Sequence, residues 1–416
     1  MDTAIAKRIL ERIIPKFNWF KFNQDGLSKY DTLMKKLREE CESYDMGLSD
    51  LANVSEAIAS NITDDVFLET VNHGFEWEIP GELQDIEFWA HLADDGITTV
   101  ILDSFELGNI YEIMSIIQYL GAVRLYIDAK VWIEKLESFP ELFFPNNIIH
   151  MEIHSDKIIG WMERDQTTFP KYLRSFIDNT HKYYNSNGKL RTYNSRLPPS
   201  VINLCTTCPD FTNLPPSLKI LRYHDIRDFA DIIHKDVKES YGGLMRMLEI
   251  IPVGIKRIIY CAGGQYIDSG VLETPPRLQY LAFKLGKINS ESLTFRDVQE
   301  LFIPMYNYAA NQNVELIFGD DVQHLILPFG ECINLLKSIS EHGNGLKKLS
   351  IVVEESLMEL NYNPELEFPK EYSGYSRNGF DQYLKYHTII QEFHKRFPAI
   401  QINIVPSGTY EYNDNY

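Results

Sequence analysis

Cysteine is scarce, with five in 416 residues, scattered as Cys41, Cys205, Cys208, Cys261 and Cys332. A sparse, odd-numbered set excludes a disulfide framework and fits free buried thiols in a reducing compartment. Cys205 and Cys208 form a single CxxC, but no second CxxC completes a zinc site. Pro209 follows at once, where a dithiol oxidoreductase would begin a helix. Long apolar runs are missing, so no segment reaches the ~18 to 20 residues needed to span a bilayer. The opening MDTAIAKRILERIIPKF lacks the continuous apolar stretch of a secretory signal. Basic residues are in deficit, 40 Lys and Arg against 59 Asp and Glu, for a net charge of −19. Such a surface repels phosphate backbones and anionic lipid, which argues against broad nucleic-acid or membrane binding. The expectation is an intracellular protein, cytoplasmic or nuclear.

Catalytic signatures are absent as well. No GxSxG, HExxH, EF-hand loop or kinase motif occurs. The acid pairs Asp94-Asp95, Asp320-Asp321 and Glu354-Glu355 would point to opposite faces of a strand, which suits solvated turns better than a dyad. His150, Glu152 and His154 share one strand face, but neighbours two apart sit ~7 Å from each other, wide for a shared metal shell. No catalytic residue, cofactor or metal is expected.

What the sequence does contain is 44% hydrophobic residues, ample for a large core. Residues 1–90 read as helical: Ile5, Ile9, Leu10, Ile13 and Ile14 recur at helical spacing up to Pro15, and KYDTLMKKLREECESY gives a second amphipathic helix. Short helices are expected at 50–60 and 82–94. From residue 97 a unit recurs: apolar, two residues, apolar, one residue, apolar. It appears as Ile97-Val100-Leu102, Ala122-Leu125-Ile127, Ile148-Met151-Ile153, Val201-Leu204-Thr206, Leu218-Leu221-Tyr223 and Ile255-Ile258-Tyr260. It continues as Leu278-Leu281-Phe283, Val298-Leu301-Ile303, Val322-Leu325-Leu327, Leu346-Leu349-Ile351 and Ala399-Ile402-Ile404. Starts are separated by 25, 26, 53, 17, 37, 23, 20, 24, 24 and 53 residues, each 53 being near twice the short interval. Pro198-Pro199, Pro215-Pro216, Pro252 and Pro275-Pro276 precede four of the units, where proline stops one segment and forces an extended entry into the next. Between the units, Ile110–Leu120, Tyr172–Tyr183, Phe229–Ile250 and Ile333–Ile339 read as helices.

A strand, turn and helix every 20 to 29 residues cannot bury its own apolar faces, whereas stacked neighbours can. This pattern over residues 97–405 resembles leucine-rich repeat proteins. The resemblance implies an α/β solenoid, a curved parallel sheet with outer helices, preceded by the helical region. The family's Asn or Cys after the third apolar position is replaced by Asp156, Pro209, Ile226, Gly263, Gly286 and Glu354. The expected organisation is residues 1–90 helical, 91–405 irregular solenoid and 406–416 an acidic flexible tail, with a Tyr-rich loop at 361–380. The competing fold is a doubly wound α/β enzyme opening at GITTVILDS. Its GxGxxG or GxxxxGK[ST] turn is absent, and CAGGQYIDSG at 261–270 lacks the Lys and the spacing.

If the triplets face the core, the alternating residues project from a concave face. That face carries Arg124, Tyr126, His150, His154, Arg222, His224, Arg257, Tyr280, Lys284, Phe302 and His324, with Asp103, Asp128, Glu152, Glu300 and Lys348 among them. Five Arg and Lys against four Asp and Glu make it less acidic than the chain, and its interleaved aromatics suit a protein interface. The expected function is a non-enzymatic scaffold binding a protein partner there. The layout is also similar to F-box/leucine-rich repeat proteins, the substrate-recognition subunits of cullin-type ubiquitin ligases. The stretch Ile9–Pro15 has the apolar helix of an F-box without its Leu-Pro entry. That resemblance implies a Skp-type adaptor bound at residues 1–60.

Overall fold

The recurring triplets fold as strands in the computed structural model of the chain. It describes residues 3–17, 26–65, 67–68, 88–92, 96–102, 110–127, 143–162, 168–180, 191–208, 210–224, 243–307, 310–343, 345–353, 391, 395–406 and 409–410. Among the described residues the architecture is α/β with fourteen mostly parallel strands, and the chain divides into two compact units, residues 1–220 and 221–416. Among the described residues no helix is long and apolar enough to cross a membrane.

The first unit opens with three amphipathic helices, α1 (Thr3–Phe17), α2 (Gly26–Glu42) and α3 (Leu48–Asn61). Residues at helical spacing are buried on each: Ile9, Leu10, Ile13 and Ile14, then Leu33, Leu37 and Cys41, then Leu51, Val54 and Ala59. Strand β1 (Phe88–Leu92) runs antiparallel to β2 (Ile97–Leu102). Parallel strands follow in chain order: β3 (Ala122–Ile127), β4 (Ile148–Ile153), β5 (Ser175–Asp178) and β6 (Asn203–Thr206). Helices α4 (Ile110–Ile117) and α5 (Asp156–Met162) lie in the crossovers. The triplets are in register across the strands. Val100, Leu125, Met151, Phe176 and Leu204 form one buried row, and Leu102, Ile127, Ile153 and Asp178 the next. Helix and strand meet through Ala59, Phe67, Ile97, Ala122, Ile149 and Ile202. Gly121, at φ +78°, permits this approach: a Cβ there would sit 3.3 Å from Leu10, and its N–H donates to Ser55 Oγ at 3.1 Å.

In the second unit β7 (Ile220–His224), beginning at the boundary, and α6 (Leu244–Ile250) precede three long strands, β8 (Arg257–Ile267), β9 (Val271–Ile288) and β10 (Ser292–Phe302). Then come β11 (Glu315–Ile317), β12 (His324–Pro328), α7 (Phe329–His342), β13 (Lys348–Val353) and β14 (Gln401–Pro406). The order β8-β9-β10-β12-β13-β14 again follows the chain, with β11 paired beside β10. Ile258, Leu281, Leu301, Leu325, Leu349 and Ile402 align as one row. Pro275 and Pro276 lie inside β9, where the pairing with β10 shifts register and Arg277 and Asp297 take φ near +60°. The prolines thus mark a bulge that re-aims the strand.

The other prolines have a common geometry. The N–H of each first apolar residue donates to a proline carbonyl three residues back: Ile148 to Pro145, Leu173 to Pro170, Val201 to Pro198, Leu218 to Pro215 and Ile255 to Pro252, at 3.1 to 3.2 Å. Pro199 and Pro216 fill the second turn position, whose φ proline already holds.

Two expected elements differ. Tyr172–Tyr183, read as helix, holds β5, because Leu173-Phe176-Asp178 is itself a repeat triplet with a polar third member. It is the unit hidden in the first 53-residue interval. Residues 82–94, read as helix, hold β1, whose pairing with β2 outweighs the local helical spacing. Across the second 53-residue interval β13 pairs directly with β14. The Tyr-rich stretch 361–380 and most of Phe229–Ile250 lie outside the described residues.

Candidate functional site

The non-core face of each unit gathers the residues singled out above into cross-strand rows. In the first unit Thr99, Arg124, His150, Ser175 and Asn203 are register neighbours, with Tyr126 beside Glu152 in the next row. Tyr126 and His150 rings lie 5.1 Å apart. Glu152 is the electrostatic centre. Its Oε1 accepts from Asn179 Nδ2 at 2.8 Å and lies 2.8 Å from His154 Nε2, while His150 Nε2 is 3.9 Å from Oε2. Burial alone would raise this carboxyl; the nearness of His150, the hydrogen bond from His154 and the charge of both overcome it and hold the pKa at about 2. A carboxylate so firmly ionised is a fixed charge rather than a proton donor at neutral pH.

In the second unit Arg257, Tyr280, Glu300, His324, Lys348 and Gln401 make one row, and Ile259, Ala282, Phe302, Ile326, Ser350 and Asn403 the row beside it. The Arg257 guanidinium stands 4.7 Å from the Tyr280 ring centroid. His324 Nδ1 is 3.5 Å from Glu300 Oε1, and its Nε2 is 2.8 Å from Ser350 Oγ. The Glu300 carboxyl is lowered, first by the close approach of His324 and, against burial, by the charges of His324, Arg257 and Lys348. Ile259, Cys261, Tyr280, Ala282, Phe302 and Ile326 cluster as an apolar floor.

Tyr410 closes part of that floor. Its ring lies 5.9 Å from Phe302 and 6.1 Å from His324, and its hydroxyl donates to Ser350 Oγ at 2.9 Å. The tail expected to be flexible is therefore anchored at this residue. Aromatic surface on both partners drives the contact, a signal that reading the tail by its charge overlooked.

The rows bring together Arg124 with His150 and Arg257 with Tyr280 and His324, but not all eleven residues are accessible. Arg124, His150, His224, Tyr280, Phe302 and His324 are buried, each at 6% exposure or less. In a parallel sheet, neighbours ~4.8 Å apart shield one another. Tyr126, Arg222, Arg257 and Lys284 are half-buried and His154 is the more exposed member. Arg222 and His224 alternate on β7 with Tyr223, which packs 5.3 Å from Tyr260.

Sequence reading missed a buried polar network. Asp178 Oδ2 accepts from Arg191 at 2.7 Å, Tyr193 at 2.7 Å and Thr207 at 3.1 Å, while Oδ1 accepts from the Thr180 N–H at 2.9 Å and its hydroxyl at 2.5 Å. Burial and the Asp178 charge push the Tyr193 phenol well above its ordinary value. Cys208 donates from Sγ to the Arg191 carbonyl at 2.9 Å, and both CxxC cysteines are buried, so the motif belongs to this core. Glu315, Glu341 and His342 bring three potential metal-ligand atoms within 4.8 Å, with His342 Nε2 2.6 Å from Glu315 Oε1. They form a largely exposed surface group. The chain matches no protein-family model, no curated protein and no solved structure.

Proposed function

We propose that the protein is a non-enzymatic interaction scaffold of the leucine-rich-repeat solenoid type, whose sheet face opposite the repeat core docks a protein segment. The observation that carries this reading is the second unit's row Arg257, Tyr280, Glu300, His324 and Lys348, in register across β8 to β13 and beside an apolar cluster on the same face. Side chains presented in a row at ~4.8 Å strand spacing give an extended polypeptide a line of successive contacts, and cationic and aromatic groups beside apolar surface are what anchors interfaces. The solenoid reading draws support from strand order. Within each unit the strands follow the chain, and each triplet lies beside its neighbour's triplet. A doubly wound enzyme would instead reverse its strand order and bind ligand at the reversal.

The ubiquitin-ligase role implied for residues 1–60 has less behind it. The apolar residues of α1 to α3 that an adaptor would grip are buried within their own unit. The test is to pan a displayed library of protein segments on the full chain and on the chain ending at Pro406. Binders that are lost with Arg257→Glu plus Lys348→Glu are expected in at least one form. No binder in either form, or binders indifferent to both charges, overturns the docking reading.

A further inference from the structure

The chain itself supplies an occupant for this face. Immediately after β14 the chain reverses, the Thr409 N–H donating to the Pro406 carbonyl at 3.2 Å, and Tyr410 comes back over the sheet. It reaches Ser350 on β13, His324 on β12 and Phe302 on β10, a span of three strands or about 10 Å. The segment it belongs to reads Ser407-Gly408-Thr409-Tyr410-Glu411-Tyr412-Asn413-Asp414-Asn415-Tyr416, three tyrosines and two acids without a basic residue. The receiving face has the opposite character. Lys348 precedes Ser350 by two residues on the same strand face, and Arg257 stands at the far end of the row against the single acid Glu300. From the Tyr410 ring to the β8 strand is roughly two strand spacings, about three residues of extended chain.

We propose that this face recognises an extended segment bearing an aromatic side chain with acids within three or four residues of it, and that Tyr410 masks the face by standing in for that aromatic. The proposal rests on the docking reading above and adds the chemistry of the partner and a means of control. The mask is held by ring contacts and a hydroxyl bond at Tyr410, so a partner carrying several such groups displaces it. A short tether gives an effective concentration on the order of 1 mM, so a segment with a Kd near 0.1 mM in trans would mask the face about tenfold.

The test uses a labelled peptide of residues 407–416 titrated against the full chain, the full chain with Tyr410→Ala, and the chain ending at Pro406. Circular dichroism confirms that each is folded. Binding is expected to the shortened chain and to Tyr410→Ala, and to be about tenfold weaker to the intact chain. It should be lost when the peptide's own tyrosine equivalent to Tyr410 becomes alanine, and when Arg257→Glu and Lys348→Glu are introduced. If the shortened chain does not fold, Tyr410→Ala in the full chain carries the comparison. No binding to either unmasked form, or equal affinity for masked and unmasked chains, overturns the proposal. If the panning experiment still yields binders that depend on Arg257 and Lys348, the docking reading survives that outcome. If it yields none, both fall.

Discussion

Replacing Asp178 with alanine should be among the most damaging single changes in the first unit. Asp178 is wholly buried and Arg191 is 1% exposed, so their 2.7 Å ion pair is shielded from water on both sides. Alanine leaves the guanidinium, which stays charged at any accessible pH, without its counter-charge. It also removes the acceptor used by Tyr193, Thr180 and Thr207. Breaking one side of a buried pair costs about 3 to 5 kcal/mol, whereas replacing both members with apolar residues of similar volume is often neutral. Asp178→Ala should therefore cost about 3 to 5 kcal/mol, and Asp178→Leu combined with Arg191→Met should recover most of it. The assay is urea unfolding followed by tryptophan fluorescence. All five tryptophans (Trp19, Trp77, Trp89, Trp132 and Trp161) precede residue 221, so the signal reports this unit alone. A loss under ~1 kcal/mol for the single variant, or a double variant as unstable as the single, would refute the reasoning.

In the second unit, Leu281→Ala should cost about 2 to 5 kcal/mol as a truncation in the centre of the aligned row. Arg257→Glu with Lys348→Glu should leave thermal unfolding within a degree or two while abolishing docking; calorimetry and the panned segments check the pair. Because the Glu152 pKa falls from 4.5 to about 2 on folding, its contribution is fully present above pH 4.5 and is lost as pH falls toward 2. That contribution is worth up to about 3 kcal/mol, and Glu152→Gln should flatten acid unfolding in this window. All five thiols are buried, and burial with the charges of Glu40, Asp50 and Glu42 lifts Cys41 to about 11. A thiol reagent at neutral pH should therefore label none in the native protein and five after denaturation.

The repeat was legible because its three apolar positions are a property of every strand. From Ile97 to Ile351 each triplet is buried, and those of β2 to β6 and of β8 to β13 lie in register. Ala399-Ile402-Ile404 is the exception, half-buried or exposed on the edge strand β14. Leu173-Phe176-Asp178 does not stand out in the sequence because its third member is a carboxylate, acceptable in a core only through Arg191 and Tyr193, which come 13 and 15 residues later. Its proline, Pro170, was there to be read. The face residues were legible by alternation, but their exposure was not, since shielding depends on neighbours in other strands. Tyr410 on Phe302 is a pairing across 108 positions that no local pattern announces.

Photo-crosslinking tests the docking face most directly. A benzophenone amino acid is placed at Glu300, on the face, and in a separate sample at Glu341, exposed on α7. The account predicts that a segment selected by panning crosslinks from position 300 and not from 341. Crosslinking from 341 with none from 300 would contradict it.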